Sequence, residues 1–563
     1  MSMLPFQMKP THPSEVMSGL NKIVVPTVHY GFQSMIMEKD VPIKMRDGIT
    51  LYVNVFRPEK PGKYPVVMSA DIYGKDLLRT YDERRPLWPT IGVVQTSLFA
   101  PPESPDPGFW VPNGYVVVKV ALRGSSNSEG SICPLSEMES LDYYEVIGWA
   151  GVQEWSNGNV GTNGVSYLAM TQWPVAALNP PHLKAMIPWE GVSDLYREWA
   201  FHGGIPDTGF FRMWAEKQKT TWPKSEVEPL IIMQRQHPLF DEYWNTKQAK
   251  LSQIKVPMFV GASWSTQGLH NRGTLEGFKQ SSSRDKWLEV HGRKEWEYYY
   301  SREVLERQKR FFDYFLKEIE NDWMDMPRVR LEVRERFFYG MTRFENEWPI
   351  ARTKYTIFFL KNTNMALSTS PSKDVSKVSY SAEGDKGVRQ SLMYKITFNE
   401  DTELTGYMKL KLWVSAKGSD DMDLFVGIKK FDRRGNEILF PDFNHIENGH
   451  VAYGWLRVSH RELDPEKSTP DQPWLKHTKE LKLKSGEIVP VEIEILPSST
   501  IFRSGESLGV VIQGSDLIKK GASIITKDFG ERRYQHMETV NKGEHFIYCG
   551  GKYDSHLLVP IIV

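Results

Sequence analysis

Ser166 stands in Gly164-Val-Ser-Tyr-Leu168, ahead of a stretch, Tyr167 to Leu178, whose Ala169, Met170, Trp173, Ala176 and Ala177 recur at helical spacing. A serine between a strand end and a helix start, with glycine two residues before it, reads as a nucleophile elbow. The tight turn lifts the hydroxyl off the sheet, and the helix start behind it favours a developing negative charge. The fifth position of the usual G-x-S-x-G is here Leu168, with a small residue, Ala169, one place later. Such a serine needs a histidine to take its proton, a group to orient that histidine, and donors for the oxyanion. His291, at the end of Leu288-Glu-Val-His, fits the base; a histidine bonded into a turn is the alternative. His182, His202, His237 and His270 are competing histidines. Tyr73 could supply a phenol donor which, with the backbone N–H of Tyr167, would make a two-donor oxyanion site; a core tyrosine is the alternative. The orienting acid is expected just after Val256–Ala262, but Ala262-Ser-Trp-Ser-Thr-Gln-Gly-Leu-His270 contains no carboxylate.

Elements that would position these groups follow from hydrophobic patterning. Tyr64–Ala70, Tyr115–Leu122, Leu183–Pro188, Val256–Gly261 and Lys286–His291 are apolar runs too short for helices and bounded by turn residues, as in strands buried on both faces. Ser140–Glu154 and Arg302–Glu318 have helical spacing. Strands alternating with helices predict a largely parallel sheet, whose ligand chemistry gathers at the strands' C-terminal ends. The aromatic-rich segment from about 190 to 255 is either a helical cap over a pocket or an ordinary excursion packed on the sheet. Beyond about residue 335 the period changes to two, in Met408–Val414, Asp423–Lys429, Val491–Leu496, Leu508–Ile512 and Glu544–Tyr548, predicting an all-β sandwich. The organisation expected is an N-terminal arm over 1–35, an α/β domain over 36–335 and a β-sandwich over 336–563.

At 563 residues the chain is long enough for two or three domains. Lys plus Arg equals Asp plus Glu, 70 against 70, so no net field recruits nucleic acid or an anionic membrane. Cys133 and Cys549 form neither a disulfide framework nor a metal-ligand spacing, and no cofactor motif is present. No run approaches the ~18 apolar residues of a membrane span, and the first residues lack a signal-peptide core. A cytoplasmic protein that takes a small-molecule substrate, with a homodimer plausible, is expected.

Taken together, several stretches resemble one family. They are Met45-Arg-Asp-Gly48, Ile72-Tyr-Gly-Lys75, Leu122-Arg-Gly124 with Ser128-Glu-Gly130, Trp155-Ser-Asn-Gly158, Gly164-Val-Ser-Tyr-Leu168, Pro188-Trp-Glu-Gly191, Arg272-Gly-Thr274, His291-Gly-Arg-Lys294 and Ser419–Val426. The chain is similar in these to the cocaine-esterase and X-prolyl-dipeptidyl-peptidase group of α/β-hydrolases, in its longer CocE/NonD branch. The resemblance implies an α/β-hydrolase fold with a helical cap and a C-terminal jelly-roll, and ester or amide hydrolysis through an acyl-enzyme. It also implies Ser166 as nucleophile, His291 as base and Tyr73 as oxyanion donor, and makes Leu168 ordinary.

Two departures stand out. Ala121 lies near a place that usually carries Asp, and the family's triad acid falls on Thr266. Without that carboxylate a triad loses about four orders of magnitude in turnover. Glu276, Glu289 or Glu295 could substitute, a Ser–His dyad could act slowly, or the site could have turned to non-hydrolytic work. The expectation is therefore a serine hydrolase acting on an ester, lactone or amide of a bulky uncharged small molecule, with Thr266 in the acid's place. The alternative is a cyclase or lyase of secondary metabolism, or a ligand-binding protein, on the same fold.

Overall fold

The computed structural model describes residues 22–27, 33–76, 94–383, 390–442, 448–517 and 535–563. Strand β1 (Lys22–Thr27) pairs antiparallel with β2 (Gln33–Lys44), so the N-terminal arm contains a strand; residues 1–21 and 28–32 lie outside the described residues. Next come β3 (Thr50–Pro58), β4 (Tyr64–Asp71), β5 (Val116–Ala121), helix α1 (Glu137–Gly151) and β6 (Ser156–Val165). Helix α1 begins three residues before its apolar periodicity because Ser136 caps it, accepting from the Glu139 amide, with Glu137 and Glu139 in the positively polarised first turn.

After the elbow come α2 (Tyr167–Met170), α3 (Gln172–Ala177), β7 (Leu183–Trp189), α4 (Phe210–Thr221), β8 (Met258–Ser263), α5 (Asn271–Gln280) and β9 (Lys286–His291). Then follow α6 (Glu295–Tyr299), α7 (Arg302–Lys317) and β10 (Val329–Arg336).

The strands lie in the order β2-β3-β5-β4-β6-β7-β8-β9-β10, parallel from β5 onward. Asp71, Val165, Trp189, Ser263 and His291 therefore end at one edge of the sheet. Strand β6 is the least obvious from its residues, being Ser-Asn-Gly-Asn-Val-Gly-Thr-Asn-Gly-Val. Gly161 serves close packing: a Cβ there would come within 2.7 Å of Leu316 and 2.8 Å of Phe312 on α7.

The segment 190–255 folds as a π-helical turn (Tyr196–Ala200), a two-residue hairpin, α4 and further short helices, burying Trp199, Trp214 and Trp244. Beyond β10 the chain is strand-rich. Thr402–Lys417 pairs with Val489–Phe502, Glu544–Cys549 and His556–Ile562, while Asp423–Phe431 pairs with Ala452–Arg457 and Ser507–Gln513. Their alternation is the period of two made physical: Leu410, Leu412, Val491 and Ile493 enter a core, while Lys409 and Glu492 on the other face pair at 2.9 Å. The halves are joined by fully buried Arg334 on β10, which donates to the Val451 carbonyl (2.8 Å) and Ser498 hydroxyl (2.6 Å). Among the described residues no helix is long and apolar enough to cross a membrane.

Candidate active site

The turn from β6 into α2 places Ser166 in the left-handed region, φ 57° and ψ −122°, a conformation non-glycine residues adopt only where the surroundings enforce it. Two carbonyls do so: the Ser166 amide donates to those of Trp189 and Glu190, each at 3.0 Å. The residues around the elbow must be small. A Cβ on Gly164 would lie 2.5 Å from that of Leu168, and one on Gly191 would lie 2.7 Å from that of Ala169. Leu168 thus occupies the space beside Gly164, and the small residue the turn needs is Ala169, packed under Gly191.

His270, one of the competing histidines, faces the serine. Its Nε2 lies 3.2 Å from Ser166 Oγ, and its Nδ1 lies 3.3 Å from Glu295 Oε2. All three side chains are buried. Burial holds the His270 imidazole down to about 4, against the attraction of Glu190 and Glu103, so the ring is neutral near pH 7 and can accept a proton.

His291 is not at the serine, which corrects the expectation drawn from its position. Its Nδ1 accepts the Arg293 amide at 3.2 Å, so Nε2 carries the proton and faces Glu190 Oε1 at 3.0 Å. The ring is stacked on Tyr298, with centroids 4.0 Å apart, and lies nearly parallel to Trp189 at 6.1 Å. Nδ1 is committed to the backbone, and the stacking holds the plane.

Thr266 makes no side-chain hydrogen bond to His291 either. Its carbonyl gathers the amides of Leu269, His270 and Asn271, at 3.0 to 3.1 Å, which bends the chain after β8 and presents His270 at the start of α5. Its hydroxyl has no hydrogen-bond partner among the described residues. The same turn is gripped by the C-terminal strands: the Tyr453 amide donates to Gln267 Oε1 at 2.9 Å, and Gln535 Nε2 to the Gly268 carbonyl at 2.6 Å.

Of the carboxylates considered as substitutes, Glu276 binds Lys279 and Gln472, and Glu289 binds Tyr298 and Arg307. Glu295 is the one that reaches a site histidine. It is brought there by the loop after β9, only four residues beyond His291.

Tyr73 is where its sequence position suggests. Asp71 Oδ1 accepts the amides of Tyr73 and Gly74 at the end of β4, turning the phenol toward the elbow, where its ring packs against that of Tyr167 with centroids 5.8 Å apart. Trp214 of the insertion donates to the Tyr73 oxygen at 3.0 Å, which leaves the phenolic proton available to a second partner. Burial and the nearby Glu103 carboxylate push the phenol well above its usual range, so it stays protonated as a donor. Tyr167 supplies the first amide of α2, while its side chain turns away to Glu139 at 2.8 and 3.0 Å.

Sequence reasoning missed the pairing of His270 with Ser166, and it missed Glu190 altogether. The signals were present in Pro188-Trp-Glu-Gly191, which closes a parallel strand beside the elbow, and in His270 heading a helix whose first eight residues are all buried.

A CocE/NonD family hydrolase from Staphylococcus aureus has the same architecture in crystal form, with 59% sequence identity, 99% of each chain covered and a TM-score of 0.93. The chain belongs to the CocE/NonD family of hydrolases. Within it, residues 47–293 match the X-Pro dipeptidyl-peptidase (S15 family) profile, and 321–558 match that of the X-Pro dipeptidyl-peptidase C-terminal non-catalytic domain. The cocaine esterase of a Rhodococcus species is 25% identical over 93% of this chain and 98% of its own. A putative Xaa-Pro dipeptidyl-peptidase of Bacillus anthracis is 24% identical over 72% of this chain and 70% of its own. The fold is accordingly that of an α/β-hydrolase with a β-rich C-terminal domain, and the protein is a serine hydrolase of this type.

Proposed function

We propose that this CocE/NonD hydrolase cleaves an ester, lactone or amide of a bulky small molecule through an acyl-enzyme built on Ser166, with His270 as the base and Glu295 in the acid's role. The observation that carries this reading is the approach of Ser166 Oγ to His270 Nε2 (3.2 Å) and of His270 Nδ1 to Glu295 Oε2 (3.3 Å, ion-pair distance without hydrogen-bond alignment) at a strained elbow. Ser166 Oγ attacks the acyl carbon as its proton passes to His270 Nε2, and Glu295 stabilises the imidazolium formed. The tetrahedral oxyanion receives hydrogen bonds from the Tyr73 hydroxyl and the Tyr167 amide. His270 then gives its proton to the departing alcohol or amine, and water repeats the sequence to release the acid.

The non-hydrolytic alternative was motivated by the missing carboxylate at Thr266, and Glu295 beside His270 removes that motive. The restriction to uncharged substrates has no support at the site either, since Glu103, Glu190 and Glu295 are all buried around it. A fluorophosphonate probe and a p-nitrophenyl ester test the proposal. Label on Ser166 and a burst of nitrophenol should appear in the wild type and vanish in Ser166→Ala. Full turnover in Ser166→Ala would overturn it.

A further inference from the structure

We propose that Glu190, His270 and Glu295 form a site for one divalent cation, suited to Zn²⁺, whose occupancy switches the hydrolase off. The claim that such an ion inhibits rests on His270 being the base; the claim that it binds does not.

One ligand atom from each of the three residues lies within 4.8 Å of the other two, and all three side chains are buried. Zinc takes nitrogen and carboxylate oxygen at about 2.0–2.1 Å in a tetrahedron, which sets neighbouring ligand atoms about 3.3–3.4 Å apart. The observed separation of His270 Nδ1 from Glu295 Oε2 is 3.3 Å. These two atoms therefore already stand at ligand spacing, and Glu190 has only a short distance to close.

The second observation concerns Glu190. Its carboxylate is completely buried, and neither oxygen makes a hydrogen bond among the described residues. His291 Nε2, 3.0 Å from one of them, lies at ion-pair distance without hydrogen-bond alignment. A buried carboxylate in that condition is costly, and a cation shared with Glu295 would relieve it. His291 is already placed as an outer-shell partner: the Arg293 amide on Nδ1 fixes the tautomer that puts the proton on Nε2, 3.0 Å from Glu190. This is also a use for His291, which the proposed catalytic mechanism leaves idle.

The consequence for catalysis follows from the imidazole's single proton. In the resting site Nε2 accepts from Ser166, so the proton is on Nδ1. A metal on Nδ1 requires that lone pair, and the neutral ring then carries its proton on Nε2. Nε2–H faces Ser166 Oγ and cannot accept the serine proton. No redox change or bond cleavage is involved, and a chelator restores the original tautomer by removing the ion.

Calorimetric titration of the full chain with ZnCl₂, paired with ester hydrolysis at each zinc level, tests this. The wild type should bind one Zn²⁺ per chain and lose activity in parallel, with EDTA restoring it and Mg²⁺ at equal concentration leaving it intact. Ser166→Ala should bind zinc as the wild type does, whereas Glu190→Gln and Glu295→Gln should each weaken binding at least tenfold. Absence of stoichiometric binding in the wild type would overturn the site, as would undiminished binding in both Gln variants. Stoichiometric, Glu190-dependent binding with unchanged hydrolysis would instead support the site and overturn the assignment of His270 as base.

Discussion

Two loops at the C-terminal edge of the same sheet each carry a histidine paired with a carboxylate, and they are built for different work. After β8, His270 sits at the head of α5, with Nε2 toward Ser166 and Nδ1 toward Glu295. At the end of β9, His291 is held by a stacked tyrosine, accepts a backbone amide on Nδ1 and turns Nε2 to Glu190. A general base needs one lone pair aimed at the nucleophile's proton. The first histidine has one, and the second has given its lone pair to the backbone. The difference shows why a histidine at the expected strand end can be structural while its neighbour one loop earlier does the chemistry.

Kinetics of the two histidine variants would break this comparison most directly. His270→Ala should lower kcat by about 10⁵- to 10⁶-fold, the scale for losing a triad histidine, and His291→Ala by less than about 10²-fold. A larger loss at His291 would reverse the assignment. The carboxylates provide the next test: Glu295→Gln should cost about 10⁴-fold in kcat, as for an orienting acid made neutral. An equal loss in Glu190→Gln would mean that the pairs act as one unit.

Removing the phenol in Tyr73→Phe should cost about 10²- to 10³-fold in kcat with little change in KM, the signature of an oxyanion donor. Unchanged activity in that variant would leave the Tyr167 amide as sufficient.

The pH profile of kcat/KM sharpens the contrast further. Burial disfavours the charged form of His270, whose ionisation lies at about 4, so the base is neutral above that value and protonated below it. Activity should therefore hold from pH 7 down to about 5 and then fall about tenfold per unit below about 4. A limb near 6.5, the ordinary histidine value, would point to a different base. The smallest effect is expected at Thr266. Thr266→Asp places a carboxylate in a fully buried position with no hydrogen-bond partner. It should reduce stability by about 1–3 kcal/mol in denaturant titration without raising esterase activity. A large gain in activity would show that residue 266 can still act as the triad acid.

Much of this was legible before any coordinates. The runs Tyr64–Ala70 and Lys286–His291 emerged as strands because a segment buried on both faces must be apolar throughout, and Met408–Val414 because a half-buried strand must alternate. Ser166 and Tyr73 were legible because each follows directly from a strand, so the backbone fixes its place. His270 and Glu295 were not, because each sits on a loop or helix start whose direction depends on contacts from afar. The His270 turn is shaped by Thr266 and gripped by Tyr453 and Gln535, residues far away in the chain.

The sequence by itself determined the family, the alternation of strands with helices, and the places of Ser166 and Tyr73 near strand ends, since local periodicity and short-range turns decide these. Which histidine meets Ser166, and which carboxylates stand behind the two histidines, was decided only by the tertiary structure. Side chains from separate loops converge over a few ångströms, and both the distance between them and the lone pair left free depend on packing that no local spacing encodes.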